Sequence, residues 1–191
     1  PSVLGRSVFC EDKLKDNVTN GCRQYVVFAA GYDTFSLRNR DKSLIVFELD
    51  YPQMIEDKME RISKALLTSA AFCVSCNLAD DAWKNKLLSH GYDKDKKAFG
   101  SLLGISYYLK EADFEQLIMN ISEIMTEGSA ICFDYPSVDE SAETRKTQML
   151  ATAAGEQMKA RYSYKEMDML LRKYGFELIE HLDAEKMTDR Y

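Results

Sequence analysis

The feature that most constrains this chain is a regular exchange between two apolar patterns. Five short and largely apolar runs, Tyr25 to Ala30, Leu44 to Leu49, Ala71 to Val74, Phe99 to Ile105 and Ala130 to Phe133, are separated by segments of helical periodicity. Consecutive apolar residues suit a strand buried on both faces, which is the pattern of a parallel sheet. Phe176 to Ile179 reads as a weaker sixth strand. Between the runs, Ile55, Met59, Ile62 and Leu66 recur at helical spacing behind Pro52, a residue suited to a first helical turn. Trp83 and Leu87 mark a shorter helix between Asp80 and Gly91. Phe114, Leu117, Ile118, Ile121, Ile124 and Met125 form a stronger stripe, which Gly128 is expected to cap. Ser163 and Glu166 have the spacing of a capping box ahead of Met167, Leu170, Leu171 and Tyr174, with Gly175 closing that helix. Strands alternating with helices predict an α/β architecture, a Rossmann-like, doubly wound and mostly parallel sheet with helices on both faces. A single domain is expected across residues 1–191, with its ligand beyond the carboxyl ends of the strands.

Composition narrows the function classes. An apolar content of 46% in 191 residues supplies a sizeable core and excludes intrinsic disorder. The net charge of −6, with no long basic run, gives no reason to expect a nucleic-acid partner. No apolar stretch has the length of a membrane span, so no membrane partner is expected either. The five cysteines are odd in number and lie mostly in apolar stretches, a usage that fits buried thiols in the cytoplasm. Cys73 and Cys76 form a C-x-x-C, but no second pair follows and His90 and His181 stand in unrelated segments, so no metal is expected. Met119, Met125, Met167 and Met169 read as core filler. Pro136 to Gln148 reads as a loop or mobile insertion.

The first run ends in Ala29-Ala30-Gly31-Tyr32-Asp33-Thr34, a turn of small residues that lets a ligand approach the backbone. Asp50 closes the second run 19 residues after Gly31, the spacing at which a carboxylate accepts from both hydroxyls of a ribose. The dinucleotide fingerprint G-x-G-x-x-G is degraded here, with Ala29 and Thr34 in place of two glycines. A pyrophosphate needs that close backbone approach, and S-adenosylmethionine has no pyrophosphate. The pattern therefore favours S-adenosylmethionine over a nicotinamide cofactor, with a tight turn that binds nothing as the plain alternative.

These residues resemble a known family. Gln24 to Thr34 is similar to the Q-V-V-x-L-G-A-G-L-D-T segment of leucine carboxyl methyltransferases and their bacterial relatives, the polyketide-type O-methyltransferases. Phe47-Glu48-Leu49-Asp50-Tyr51-Pro52 resembles their F-E-V-D-x-P, Ser106-Tyr107-Tyr108-Leu109 their T-M-Y-L, and Phe133-Asp134-Tyr135 their F-D-Y. Gly155-Glu156 and Glu180-His181-Leu182-Asp183 match further pieces, so the resemblance runs in order along nearly the whole chain. It implies a class I S-adenosylmethionine-dependent methyltransferase. Arg6 would contact the cofactor carboxylate, Ala29 and Gly31 would form the cofactor turn, Asp50 would hold the ribose, and Asn77-Leu78 would pack around the adenine. Two departures stand out: Asn77 replaces an aspartate, and Leu103 replaces the glutamate of an E-G pair. The resemblance also implies extra helices over the cofactor, ahead of Arg6, and a final antiparallel strand beyond Tyr191.

The activity so implied is O-methylation of a carboxylate or hydroxyl on a small molecule or peptide. A catalytically degenerate protein that binds the cofactor without transferring a methyl group is the runner-up, and a nicotinamide-dependent oxidoreductase the third reading. A carboxylate acceptor is ionised at neutral pH and needs no base, whereas a hydroxyl benefits from one. Tyr107, Asp134, Tyr135 and His181 lie where a base could stand, each with an ordinary packing or capping role as the simpler expectation.

Overall fold

The structure is a computed structural model that describes residues 3–138 and 159–191. Its elements run α1 (Val3–Thr19), β1 (Gln24–Phe28), α2 (Phe35–Arg38), β2 (Ile45–Asp50), α3 (Pro52–Lys64), β3 (Phe72–Ser75), α4 (Ala82–Ser89), β4 (Ala98–Leu102), a 3-10 turn (Ser106–Tyr108), α5 (Glu111–Ile124), β5 (Ala130–Phe133), α6 (Tyr164–Lys173) and α7 (Ala184–Arg190). The five strands form one sheet in the order β3-β2-β1-β4-β5, and every ladder in it is parallel. The order reverses between β1 and β4, which is where a doubly wound sheet opens a crevice.

Alternation along each strand divides the core in two. Val26, Phe28, Phe47, Leu49 and Leu102 face a core closed by Trp83 and Leu87 of α4, by Phe114, Leu117, Ile118 and Ile121 of α5, and by Met167 and Leu171 of α6. Tyr25, Val27, Val46, Phe99 and Cys132 face the opposite way, onto Cys10 and Leu14 of α1. Both faces are therefore covered, as continuous apolar strands require.

The helix boundaries follow local chemistry. Pro52 opens α3, and Ser163 and Glu166 make the reciprocal capping box that opens α6. Gly175, at φ +80°, ends α6 with N–H bonds from Gly175 to the Arg172 carbonyl and from Phe176 to the Leu171 carbonyl. The same paired closure ends α3, but there the left-handed residue is Leu66, at φ +56° and 92% exposed.

Several expectations are corrected. The buried face of α3 carries Ile55, Lys58 and Ile62, whereas Met59 and Leu66 are exposed. Lys58 takes a core position because Glu48 on β2 meets it at 2.7 Å. Gly128 does not cap α5: the helix ends at Ile124 and Met125 is already extended, so Gly128 serves a later turn. Residues 103–105 leave β4, since Gly104 turns at φ +74°. Phe176 to Ile179 pairs with no strand in the described residues; Phe176 and Leu178 pack on the core and Ile179 is exposed. A strand needs a hydrogen-bonded neighbour, and none of the described strands pairs with this segment. Met167 is fully buried, but Met169 points to solvent. Pro136 to Val138 is anchored by a bridge between Ser137 and Tyr162, and the rest of that expected loop, with Gly155 and Glu156, lies outside the described residues.

All five cysteines are free thiols. Cys73 lies 3.8 Å from the Met59 sulfur on α3, while Cys76 belongs to the core on the other face, so the two are not partners. The Cys10 thiol is pushed well up, first by its hydrogen bond with Cys132 and then by burial. These are packing thiols. Among the described residues no group of three His, Cys, Asp or Glu could hold a metal ion, and no helix is long and apolar enough to cross a membrane.

Candidate functional site

Because the strands are all parallel, the segments that follow them line up along one edge. Asn77-Leu78 follows β3, Asp50 ends β2, Ala29 and Gly31 follow β1, Gly104 follows β4 and Asp134 follows β5. At about 4.8 Å per strand spacing this edge spans roughly 19 Å.

The turn after β1 is held by its neighbour. The Ala30 N–H donates to the Leu49 carbonyl, and the Gly31 N–H donates to Asp50 Oδ2 at 2.7 Å. Asp50 Oδ1 accepts from the Tyr51 N–H at 2.7 Å. Each carboxylate oxygen thus has one backbone donor and keeps a lone pair for a ligand hydroxyl. Ala29 and Gly31 both adopt the left-handed region, at φ +51° and +48°. A Cβ at Gly31 would meet nothing within 4 Å, so its glycine answers to the backbone angle and the space above it is open. Ala29 sits where a glycine would cost less, by about 1 kcal/mol.

Further along the edge, the Cys76 N–H donates to the Asp50 carbonyl and fixes the start of the Asn77 loop to β2. Asn77 Oδ1 accepts from the Ala79 N–H at 3.0 Å, which leaves that oxygen a second lone pair for an amino group. Leu78 is half-buried against the core.

At the other end, α1 brings Arg6 to the turn after β4. Arg6 Nη1 donates to Asp134 Oδ2 at 2.5 Å, and Asp134 Oδ1 accepts from the Gly104 N–H at 2.7 Å. Ser106 Oγ donates to the Asp134 carbonyl at 2.6 Å. Tyr107 lies beside this pair, its phenol pushed up to about 12 by burial and by the Asp134 charge. Tyr135 and His181 form a separate pair, with the phenol oxygen 3.0 Å from Nε2. The structure therefore gathers Arg6, Ala29, Gly31, Asp50, Asn77 and Leu78 on one edge of one sheet. Leu103 turns toward the α1-side core, away from any polar role. Asp134 and Gly104 are the contacts that spacing does not reveal, because Asp134 and Arg6 are 128 residues apart.

Comparison with known proteins bears on family and fold. The leucine carboxyl methyltransferase family matches residues 1–122. YktD of Bacillus subtilis (strain 168), named for a proposed S-adenosyl-L-methionine-dependent methyltransferase activity, is 34% identical over 203 residues. That match covers 100% of this chain, which spans only 66% of the length of YktD. Magnesium protoporphyrin IX methyltransferase of Synechocystis, solved with bound SAH, superposes at a TM-score of 0.64 with 8% identity, over 96% of this chain and 80% of that one. A protein described as a pericyclic reaction enzyme superposes at 0.56 with 17% identity, over 83% of this chain and 39% of that one. The two structures share the fold. With the family match covering well over half its residues, the chain belongs to the leucine carboxyl methyltransferase family.

Proposed function

We propose that this chain, as a single domain across residues 1–191, is the cofactor-binding part of an S-adenosylmethionine-dependent O-methyltransferase. One observation carries the reading. Asn77-Leu78, Asp50, the Ala29–Gly31 turn and Arg6 occur along the strand-end edge in the order adenine, ribose, sulfonium and carboxylate occur along S-adenosylmethionine. The residues fit that group, since Asp50 keeps acceptor capacity and the space over Gly31 is open. When bound, S-adenosylmethionine supplies a methyl group on a positive sulfur for in-line displacement by an acceptor oxygen.

The chain's own residues bind and orient. Asp50 accepts the ribose hydroxyls, Asn77 accepts from the adenine amino group, and Arg6 pairs with the carboxylate through a charge-assisted bond. Positioning of this kind carries most of the rate in a displacement that needs little acid–base help. Two of the four candidate bases lose their case. Tyr107 stays protonated at neutral pH, and Asp134 is committed to Arg6 and Gly104. The acceptor is therefore a carboxylate, or a hydroxyl served by His181 through its bond with Tyr135, on a small molecule or peptide. The reading keeps the chain in the cytoplasm, with neither nucleic acid nor membrane as its partner.

A second reading, cofactor binding without methyl transfer, is favoured by Ala29, held left-handed where glycine would relax, and by Leu103, turned into the core. The pericyclic enzyme of the same fold shows that this architecture also hosts other chemistry. Turnover with labelled S-adenosylmethionine against a panel of carboxylates and phenols separates the two. Labelled methyl product supports transfer. Tight binding with no product from any acceptor, tested also with the chain extended to its relatives' length, supports the second reading. The nicotinamide reading falls if NAD does not bind.

A further inference from the structure

We propose that Asp134 is a positioning residue that aims Arg6 at the carboxylate end of the ligand, and that Gly104 is the glycine that makes room for it. The inference rests on the cofactor reading above and assigns a role to two residues that reading leaves unused.

Arg6 lies in the first turn of α1 and is partly exposed, at 28% of its side-chain surface. A long guanidinium side chain left to itself in such a place occupies many rotamers, and a ligand must then freeze it. Asp134 removes that freedom beforehand. Its carboxylate cannot swing, because Oδ1 is pinned by the Gly104 N–H and its backbone carbonyl by the Ser106 hydroxyl. The remaining oxygen, Oδ2, takes Nη1 of Arg6. The turn after β4 thus dictates where the guanidinium sits.

The position is tight on the other side. A Cβ on Gly104 would stand 2.9 Å from Arg6 Nη2, and the backbone there is left-handed at φ +74°. The guanidinium therefore lies across the turn beyond β4, beside the crevice between β1 and β4. The guanidinium has five N–H groups, of which one goes to Asp134 and another faces the Tyr107 phenol, so the fork retains donors for a second carboxylate. With side-chain exposures of 28% and 16%, the pair is open enough to accept that third charge.

The test compares two ligands that differ only in the amino acid. S-adenosylhomocysteine carries the amino-carboxylate; 5′-methylthioadenosine lacks it, and both are neutral at sulfur. Calorimetric titrations are run on the unmodified chain, Asp134→Asn, Gly104→Ala, Arg6→Ala and Arg6→Ala/Asp134→Asn. The amide introduced by Asp134→Asn keeps an acceptor for the Gly104 N–H while releasing Arg6. Asp134→Asn is expected to weaken S-adenosylhomocysteine about tenfold and methylthioadenosine less than twofold. Gly104→Ala should show the same selectivity, and Asp134→Asn should add nothing once Arg6 is removed. Equal losses on both ligands, or an undiminished effect of Asp134→Asn in the Arg6→Ala background, would overturn the proposal. If neither the unmodified chain nor one extended to the length of its relatives binds either ligand, the cofactor reading itself fails and this role fails with it; binding of both with no selectivity among the variants overturns the role of Asp134 alone.

Discussion

Two cation–carboxylate pairs fasten helices to the sheet, and they sit in opposite surroundings. Lys58 on α3 meets Glu48 on β2 at 2.7 Å with side-chain exposures of 4% and 1%. Arg6 on α1 meets Asp134 beyond β5 with exposures of 28% and 16%. The first pair is sealed, and its nitrogen and oxygens make no well-aligned hydrogen bond. It carries the desolvation cost of two charges and returns it only through mutual attraction, so its net stabilisation is small while the loss of either partner is severe. The second pair costs less to form, is worth little to stability, and can take on a third charge. The sealed pair fixes α3, which begins immediately after Asp50 and Tyr51, and so holds one end of the site in place. The open pair belongs to the proposed site itself.

The contrast breaks most sharply at Lys58. Lys58→Met is expected to destabilise the fold by about 3–5 kcal/mol, because Glu48 is left buried and unpaired, whereas Glu48→Leu/Lys58→Met recovers most of that loss. Urea denaturation of the three proteins checks it; a double variant as unstable as the single would contradict the sealed-pair account. At the site, Asp50→Ala should weaken S-adenosylmethionine by about 1–3 kcal/mol, since it strands two ligand hydroxyls. An unchanged affinity by calorimetry would remove Asp50 from the site. Smaller effects come from the two residues, among those described, that are left-handed without being glycine. Leu66 is exposed, and Leu66→Gly should gain about 1 kcal/mol in thermal unfolding. Ala29→Gly should gain about as much; a loss at either site would refute the strain assigned there.

The smallest expected effect is alkaline. Burial pushes Tyr107 and Tyr162 up to about 12, helped by Asp134 at the first and Glu111 at the second. Folded values above the ordinary 10 mean that their contribution is complete below pH 10 and is lost as pH rises toward about 12. Tyrosinate absorbance followed together with circular dichroism checks this. Ionisation of all 11 tyrosines near pH 10 with the fold intact would contradict it.

Much of this was legible in the sequence for a physical reason. Strands buried on both faces are predominantly apolar, so the five runs announce themselves, and a parallel sheet then dictates that Ala29, Gly31, Asp50 and Asn77 share an edge. What escaped depends on distant partners. Lys58 looks like a surface residue until Glu48 is seen beneath it, and the apolar stripe of α3 shifts accordingly. Asp134 reads as a loop cap until α1 delivers Arg6 from 128 residues away. Phe176 to Ile179 has the composition of a strand, but composition supplies no neighbour to pair with. Leu66 in a position that favours glycine has no sequence signal, because the helix closure tolerates the strain.

The central claim is that the strand-end edge from Asn77 to Arg6 receives S-adenosylmethionine. Calorimetric titration with S-adenosylmethionine, S-adenosylhomocysteine and NAD tests it most directly. The account predicts one-to-one binding of the first two and no heat with NAD. Binding of NAD, or of none of the three by either this chain or one extended to the length of its relatives, would contradict it.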